Sequence, residues 1–221
     1  MTIWVLTISD RASQGIYADR AGPAVMEELE RLLSPPPRFF YRCVPDGYDS
    51  VLIALTEAAG LTQRGSHWEA MSPRESMNHP EAMSPGETIN QPGAMFPRKA
   101  MHQPGTMDYT GTVNDSGAES ISTAPPDWII TVGGTGIGPR DTTPEATRAF
   151  IEGEIPGLGE YLRQKSLEET VFAVFSRGIV GYRGTTLVAN FPGSERAARF
   201  YARQLAPLMD HALRMRRGEG H

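Results

Sequence analysis

The chain has one cysteine, Cys43, among 221 residues. That excludes an intramolecular disulfide framework and any zinc site built on several thiolates. Lysine is almost missing: Lys99 and Lys165 are the only two, and the other basic side chains are arginine. A basic surplus is missing too. With 26 acidic and 21 basic side chains the formal net charge is -5, which argues against a dedicated nucleic-acid binder. Long apolar runs are absent as well. Residues 3–8 (IWVLTI) are too short for a signal-peptide core and lack a basic flank. Nothing approaches the roughly 20 apolar residues of a membrane helix. These absences predict a soluble, cytoplasmic chain with neither nucleic acid nor membrane as partner.

Leucine vanishes from the middle of the sequence. Residues 62–126 hold no Leu and only four Ile, Val or Phe, against eight Pro, six Gly and six Met. The segment repeats with a period of twelve: EAMSPRESMNHP (69–80), EAMSPGETINQP (81–92), GAMFPRKAMHQP (93–104). Known solenoid repeats are longer and carry an apolar consensus. Proline recurs too often for a helix or a central strand. So few large apolar groups do not offset an ordering cost of about 1–2 kcal/mol per residue. The segment is expected to be a disordered, low-complexity insertion in a surface loop, where extra length is tolerated. Regular Met with His67, His79 and His102 offers a Cu(I)-binding alternative, and a partner tether is another.

The remaining 156 or so residues suit a single domain, and they alternate strand and helix patterns. Residues 3–8, 39–44 and 128–132 read as strands. Residues 23–33 and 50–59 carry helical apolar spacing, the second closed by Gly60. Thr143 and Pro144 open a third helix as N-cap and first residue. A fourth is expected around 159–167. Residues 171–180 and 185–191 read as strands, with a hairpin across 181–184. Ser194 caps a long final helix through Arg216. Strands separated by helices predict an α/β fold: a three-layer, mostly parallel sheet with helices on both faces.

In an open α/β sheet, ligands bind beyond the C-terminal strand ends. Strand 1 runs into Ser9-Asp10-Arg11, strand 2 into Pro45-Asp46-Gly47, and strand 3 into Gly133-Gly134-Thr135-Gly136-Ile137-Gly138-Pro139-Arg140-Asp141. The later β region supplies Ser176-Arg177 and Asn190-Phe191-Pro192-Gly193-Ser194. Four glycines in six residues let backbone N–H groups approach an anion. The loop is no Walker A motif, and Pro139 breaks the dinucleotide fingerprint. A tight strand-to-helix turn would use the same glycines without a ligand. Asp46 and Asp141 are ordinary turn residues taken singly. Together, beside a phosphate nest, they suit a Mg²⁺ ion, which takes one or two carboxylates plus substrate phosphates. Asp10 is expected to be structural, bonding backbone within its own loop. Arg177 offers a bidentate phosphate contact or a rim salt bridge. Gly193-Ser194 offers a second helix-start anion site or a plain N-cap. No nucleophile–histidine arrangement is evident.

These residues resemble a known family. TISDRASQGIYADRAGPA, the VPD turn, WIITVGGTGIGPRDTTPEAT, IPGLGEYLRQKSL, FSRGIVGYRGTTLVANFPGS and the last helix occur in the order found in the MoaB/Mog family of molybdopterin adenylyltransferases, which is similar to the N-terminal domain of gephyrin. The resemblance covers everything except the repeat. Leu158 stands where the family usually has Phe. The resemblance implies a homotrimeric α/β domain whose substrates are molybdopterin and Mg·ATP. Its product would be adenylyl-molybdopterin, which a partner protein would need for molybdate insertion. It places the family's two essential aspartates on Asp46 and Asp141. It also makes Ser9, Gly133, Gly134, Thr135, Gly136, Ser176, Arg177, Asn190, Pro192, Gly193 and Ser194 substrate-contacting positions.

Three other functions are to be compared with this one. A binding protein would hold molybdopterin without adenylating it, and both aspartates argue against that. A scaffold would use the repeat as a tether. A nicotinamide-dependent oxidoreductase would need the fingerprint that Pro139 breaks.

Overall fold

A computed structural model describes residues 1–61 and 124–219. The repeat lies outside the described residues, and so does the expected insertion 62–126 except for its last three residues, of which Pro126 is buried and accepts from the Thr186 hydroxyl.

Seven helical segments and six strands alternate along the described chain: β1 (Thr2–Ile8), α1 (Asp10–Ser13), α2 (Ala21–Leu32), β2 (Arg38–Val44), α3 (Tyr48–Ala58), β3 (Trp128–Val132), α4 (Thr143–Phe150), β4 (Gly153–Glu154), α5 (Pro156–Leu167), a 3-10 helix (Val171–Phe175), β5 (Val180–Arg183), β6 (Thr186–Phe191) and α6 (Glu195–Arg216). The sheet order is β2-β1-β3-β6-β5-β4. The first four strands are parallel, with Ile3 beside both Phe39 and Trp128, and Trp128 beside Leu187. β5 and β4 extend the edge in antiparallel fashion. The expected mostly parallel sheet is therefore present.

Alternation along each central strand feeds two cores. On β3, Trp128, Ile130 and Val132 join Ile3, Val25, Leu29, Leu205 and Met209 under α2 and α6. Ile129, one residue out of phase, joins Leu6, Ile8, Val51, Leu55, Ala146, Phe150 and Val188 under α3 and α4. All five β3 residues are buried, as a strand covered on both faces requires. Each large side chain so buried contributes about 1.5–3 kcal/mol. This is the three-layer arrangement, and it leaves the strand ends open for chemistry.

Three local details differ from the sequence expectation. Thr142, not Thr143, is the N-cap residue of α4, and Pro144 lies one place further in. Residues 171–180 are not one strand. Val171–Phe175 form a 3-10 helix, and only Val180 onward joins the sheet. The hairpin turn falls at Gly184-Thr185. Among the described residues, no helix is long and apolar enough to cross a membrane.

Candidate active site

The parallel strands β1, β2, β3 and β6 end on one edge of the sheet, and the residues just beyond them meet there. Asp10 and Asp46 are joined twice. The Asp10 amide donates to Asp46 Oδ2 at 3.0 Å, and the Asp46 amide donates to Asp10 Oδ1 at 3.0 Å. Arg140 then donates to Asp10 Oδ2 at 2.9 Å. Asp10 thus bonds backbone, as expected, but across to the β2 turn rather than within its own loop. It ties together the loops after β1, β2 and β3. Ser9 caps α1, accepting from the Ala12 amide at 3.3 Å, and shares a 2.9 Å hydrogen bond with the Tyr17 hydroxyl.

The glycine loop is bent by two residues in the left-handed region. Gly133 has φ of 114° and Gly134 has φ of 63°. A Cβ on Gly133 would lie 2.5 Å from the Ile8 carbonyl oxygen, and one on Gly134 would strike the Thr143 hydroxyl. Only glycine permits both the conformation and the approach. The Gly133 amide donates to Phe191 O, and the Gly134 carbonyl accepts from the Thr143 amide. Among the described residues, the amides of Gly134, Thr135, Gly136 and Ile137 find no acceptor. Consecutive free N–H groups ahead of a helix start make an anion nest.

Asp141 closes that loop. Its Oδ2 accepts from the Gly138 amide at 2.8 Å. Asp46 and Asp141 are both half-buried. Each keeps one carboxylate oxygen with no donor among the described residues. No group of three or more potential ligands for a metal ion occurs among the described residues. The donor set therefore fits a hard cation that brings most of its oxygen ligands with a phosphorylated substrate.

Arg177 is half-buried, and its guanidinium bonds to the glycine loop and α4. Its Nε donates to Gly136 O at 2.6 Å, and its two terminal nitrogens reach Glu145 Oε1 and Asp141 O. Asn190 is buried beneath the site. Its Oδ1 accepts from the Ile179 amide at 3.2 Å, and its Nδ2 donates to the hydroxyls of Thr131 and Thr147, each at 2.9 Å. Its side chain braces β6 against β3 and α4.

Beside the glycine loop lies a cavity of about 410 Å³. Phe172, Phe175, Phe200 and Tyr201 wall it, Thr135, Gly136, Ser176 and Ser194 supply its polar margin, and Pro192 lines it as well. Ser166 also lines it. Ser166 is 6% exposed, and its hydroxyl has no partner among the described residues. A buried unpaired hydroxyl costs about 1–3 kcal/mol, so an apolar cavity edged by one is poised for a polar ligand. Sequence reasoning missed Ser166. The signal was available: it continues the buried stripe of Gly159 and Leu162 on α5, and a polar residue on such a stripe stands out. Two groups of predicted residues therefore emerge. Ser9, Asp46, Asp141 and the glycine loop form the charged part. Thr135, Gly136, Ser176, Pro192 and Ser194 border the cavity.

The model of the probable molybdopterin binding domain family matches residues 79–211, more than half of the chain. A molybdopterin adenylyltransferase of Helicobacter pylori is 26% identical over 211 residues, covering 96% of this chain and 85% of that one. The molybdenum cofactor synthesis protein cinnamon of Drosophila melanogaster is 45% identical over 87 residues. That match covers 39% of this chain and only 14% of the Drosophila protein. The crystal structure of the molybdopterin biosynthesis enzyme MoaB from Thermus superposes with a TM-score of 0.62 at 28% identity, covering 98% of this chain and 96% of that one. The fold, the glycine loop on its strand end and these likenesses agree: the chain belongs to the molybdopterin-binding domain family, as a MoaB/Mog-type protein of molybdenum cofactor biosynthesis.

Proposed function

We propose that this chain is a molybdopterin adenylyltransferase, joining AMP from Mg·ATP to the terminal phosphate of molybdopterin and releasing pyrophosphate. The observation that carries the reading is the adjacency of a run of amides to an aromatic-walled cavity lined by the Ser166 hydroxyl, all without partners among the described residues. The cavity suits the flat, polar-edged pterin, and the nest suits its phosphate.

A phosphate monoester has its second pKa near 6 and is mostly dianionic at pH 7. It needs no strong base to act as nucleophile. One of its oxygens forms the new bond to the α-phosphorus of ATP, and the bond from that phosphorus to the β-bridging oxygen breaks. The electron pair leaves with pyrophosphate. What remains is alignment and charge repulsion. The amides of Gly134 to Ile137 hold one phosphate without adding a mobile charge. Asp46 and Asp141 orient the Mg·ATP through their free carboxylate oxygens. Mg²⁺ carried with ATP supplies the charge neutralisation that two carboxylates beside phosphates require.

Ser9, Gly133, Gly193 and Ser194 complete the proposed substrate contacts at the strand ends, and Asn190 acts by holding β6 in place. The proposal extends to a cytoplasmic homotrimer and to a partner that inserts molybdate. The strongly exposed Val171, Phe172, Val174 and Phe175 support a face that another protein surface covers. We further propose that residues 62–126 interrupt a domain that is complete without them. In support, α3 buries Val51, Ala54, Leu55 and Ala58 before the segment, and β3 pairs with β1 after it. Filling the cavity tests the pterin assignment. Ala197→Phe should weaken molybdopterin binding, read from pterin fluorescence, at least about tenfold, with the melting temperature held. Unchanged affinity would move the pterin elsewhere.

A further inference from the structure

Arg177 lies in the right place for a phosphate ligand, yet its contacts point elsewhere. Its own amide donates to Thr135 O at 2.8 Å. Its guanidinium donates to Gly136 O, Asp141 O and Glu145 Oε1. Four bonds from one residue therefore pin the loop at its start, its bend and its end. Glu145 is in the first turn of α4, the helix that begins two residues after Asp141. The ion pair thus fixes the loop to the next helix. Three N–H groups of a planar fork aim at three different acceptors, an arrangement a lysine cannot copy.

We propose that the Glu145–Arg177 pair is a latch that positions the Asp141 carboxylate and the loop amides, and that neither residue touches substrate. Both are positioning residues acting through residues 135–141. This rests on the adenylyltransferase reading. Glu145 holds the fork in orientation, and the fork holds the carbonyls of Gly136 and Asp141. With those carbonyls fixed, the Gly138 amide stays within 2.8 Å of Asp141 Oδ2. Loss of the latch leaves the substrates bound and misaligned.

The test uses the intact protein with Glu145→Gln, Arg177→Gln, Arg177→Lys and the double Gln variant. Arg148→Gln, which removes a solvent-facing pair between α4 and Glu154 of β4, is the control. A latch predicts that kcat for pyrophosphate release falls about tenfold or more while KM for ATP holds within about twofold. Arg177→Lys should be as slow as Arg177→Gln, and the double variant no slower than the slower single. A raised KM for ATP at constant kcat, recovery by lysine, or multiplying effects would overturn the latch and make Arg177 a phosphate ligand. Hydrogen exchange in the substrate-free protein gives an arm independent of activity. Glu145→Gln should speed exchange at the Gly138 and Asp141 amides about tenfold, with β3 and β6 still protected. Unchanged protection would overturn the latch. If the wild type released no pyrophosphate, the adenylyltransferase reading would fall and the exchange arm alone would decide the latch.

Discussion

Asp10 and Asp46 hold each other's backbone: each amide donates to the other's carboxylate at 3.0 Å. The sequence keeps them 36 positions apart, and adjacent parallel strands bring them together. The pairing fixes which Asp46 oxygen remains free for a ligand. Asp10→Ala leaves the Asp46 amide without its acceptor. That should lower stability by about 1–3 kcal/mol and reduce turnover. Asp10→Asn keeps a carbonyl in place and loses mainly the Arg140 pair, worth about 0–1 kcal/mol since that arginine is largely exposed. Urea unfolding of the two variants checks the order. Equal losses would contradict a role through the backbone bond.

Glu28 is a buried acid at the α2–α6 contact, 5% exposed, 2.5 Å from Arg31 and 3.4 Å from Arg199. Burial alone would raise its pKa. The hydrogen bond and charge of Arg31, the hydrogen bond of Arg199 and the charge of Arg203 outweigh that and hold it below its ordinary value. Its folded value is thus lower than its unfolded value. The stabilisation is present above the ordinary glutamate pKa of about 4.3 and is lost as pH falls through the lowered value. Glu28→Gln should cost about 1–3 kcal/mol at pH 7, and the gap to wild type should close below about pH 4. Denaturation curves at pH 3, 5 and 7 measure it. A gap constant across pH would show that the charge contributes nothing.

Replacing residues 62–126 with a short turn should preserve both folding and pyrophosphate release. Shortening the connection from about 65 to about 4 residues should favour the folded state by roughly 2–3 kcal/mol through closure entropy. A cooperative melt at or above the parent temperature is the expected outcome. Misfolding, or loss of activity from a folded chain, would show that the repeat takes part in the domain's function.

Much of the architecture was legible because a single physical signal marks it. Residues 3–8 and 128–132 are apolar apart from Thr7 and Thr131, and both are largely buried strands. Asp46 and Asp141 stand out in the sequence because each lies in the loop that follows the C-terminal end of a strand. Residues 171–175 misled because VFAVF has strand composition. Its side chains are instead exposed or wall the cavity, and the backbone turns as a 3-10 helix. The resemblance puts Asn190 in a ligand-contacting turn at a strand end. Its partners Thr131 and Thr147 lie 59 and 43 positions away, so local sequence does not reveal that its amide is already satisfied. The direction of the Arg177 fork was hidden for the same reason.

The central claim is that Asp46 and Asp141 orient Mg·ATP beside a phosphate held by the glycine loop. Pyrophosphate release from molybdopterin, ATP and Mg²⁺ tests it directly, with wild type beside Asp46→Asn and Asp141→Asn. The account predicts release by the wild type and a fall of about a hundredfold or more in each variant, with molybdopterin still bound. A folded wild type that binds molybdopterin and releases no pyrophosphate, or variants as fast as the wild type, would contradict it.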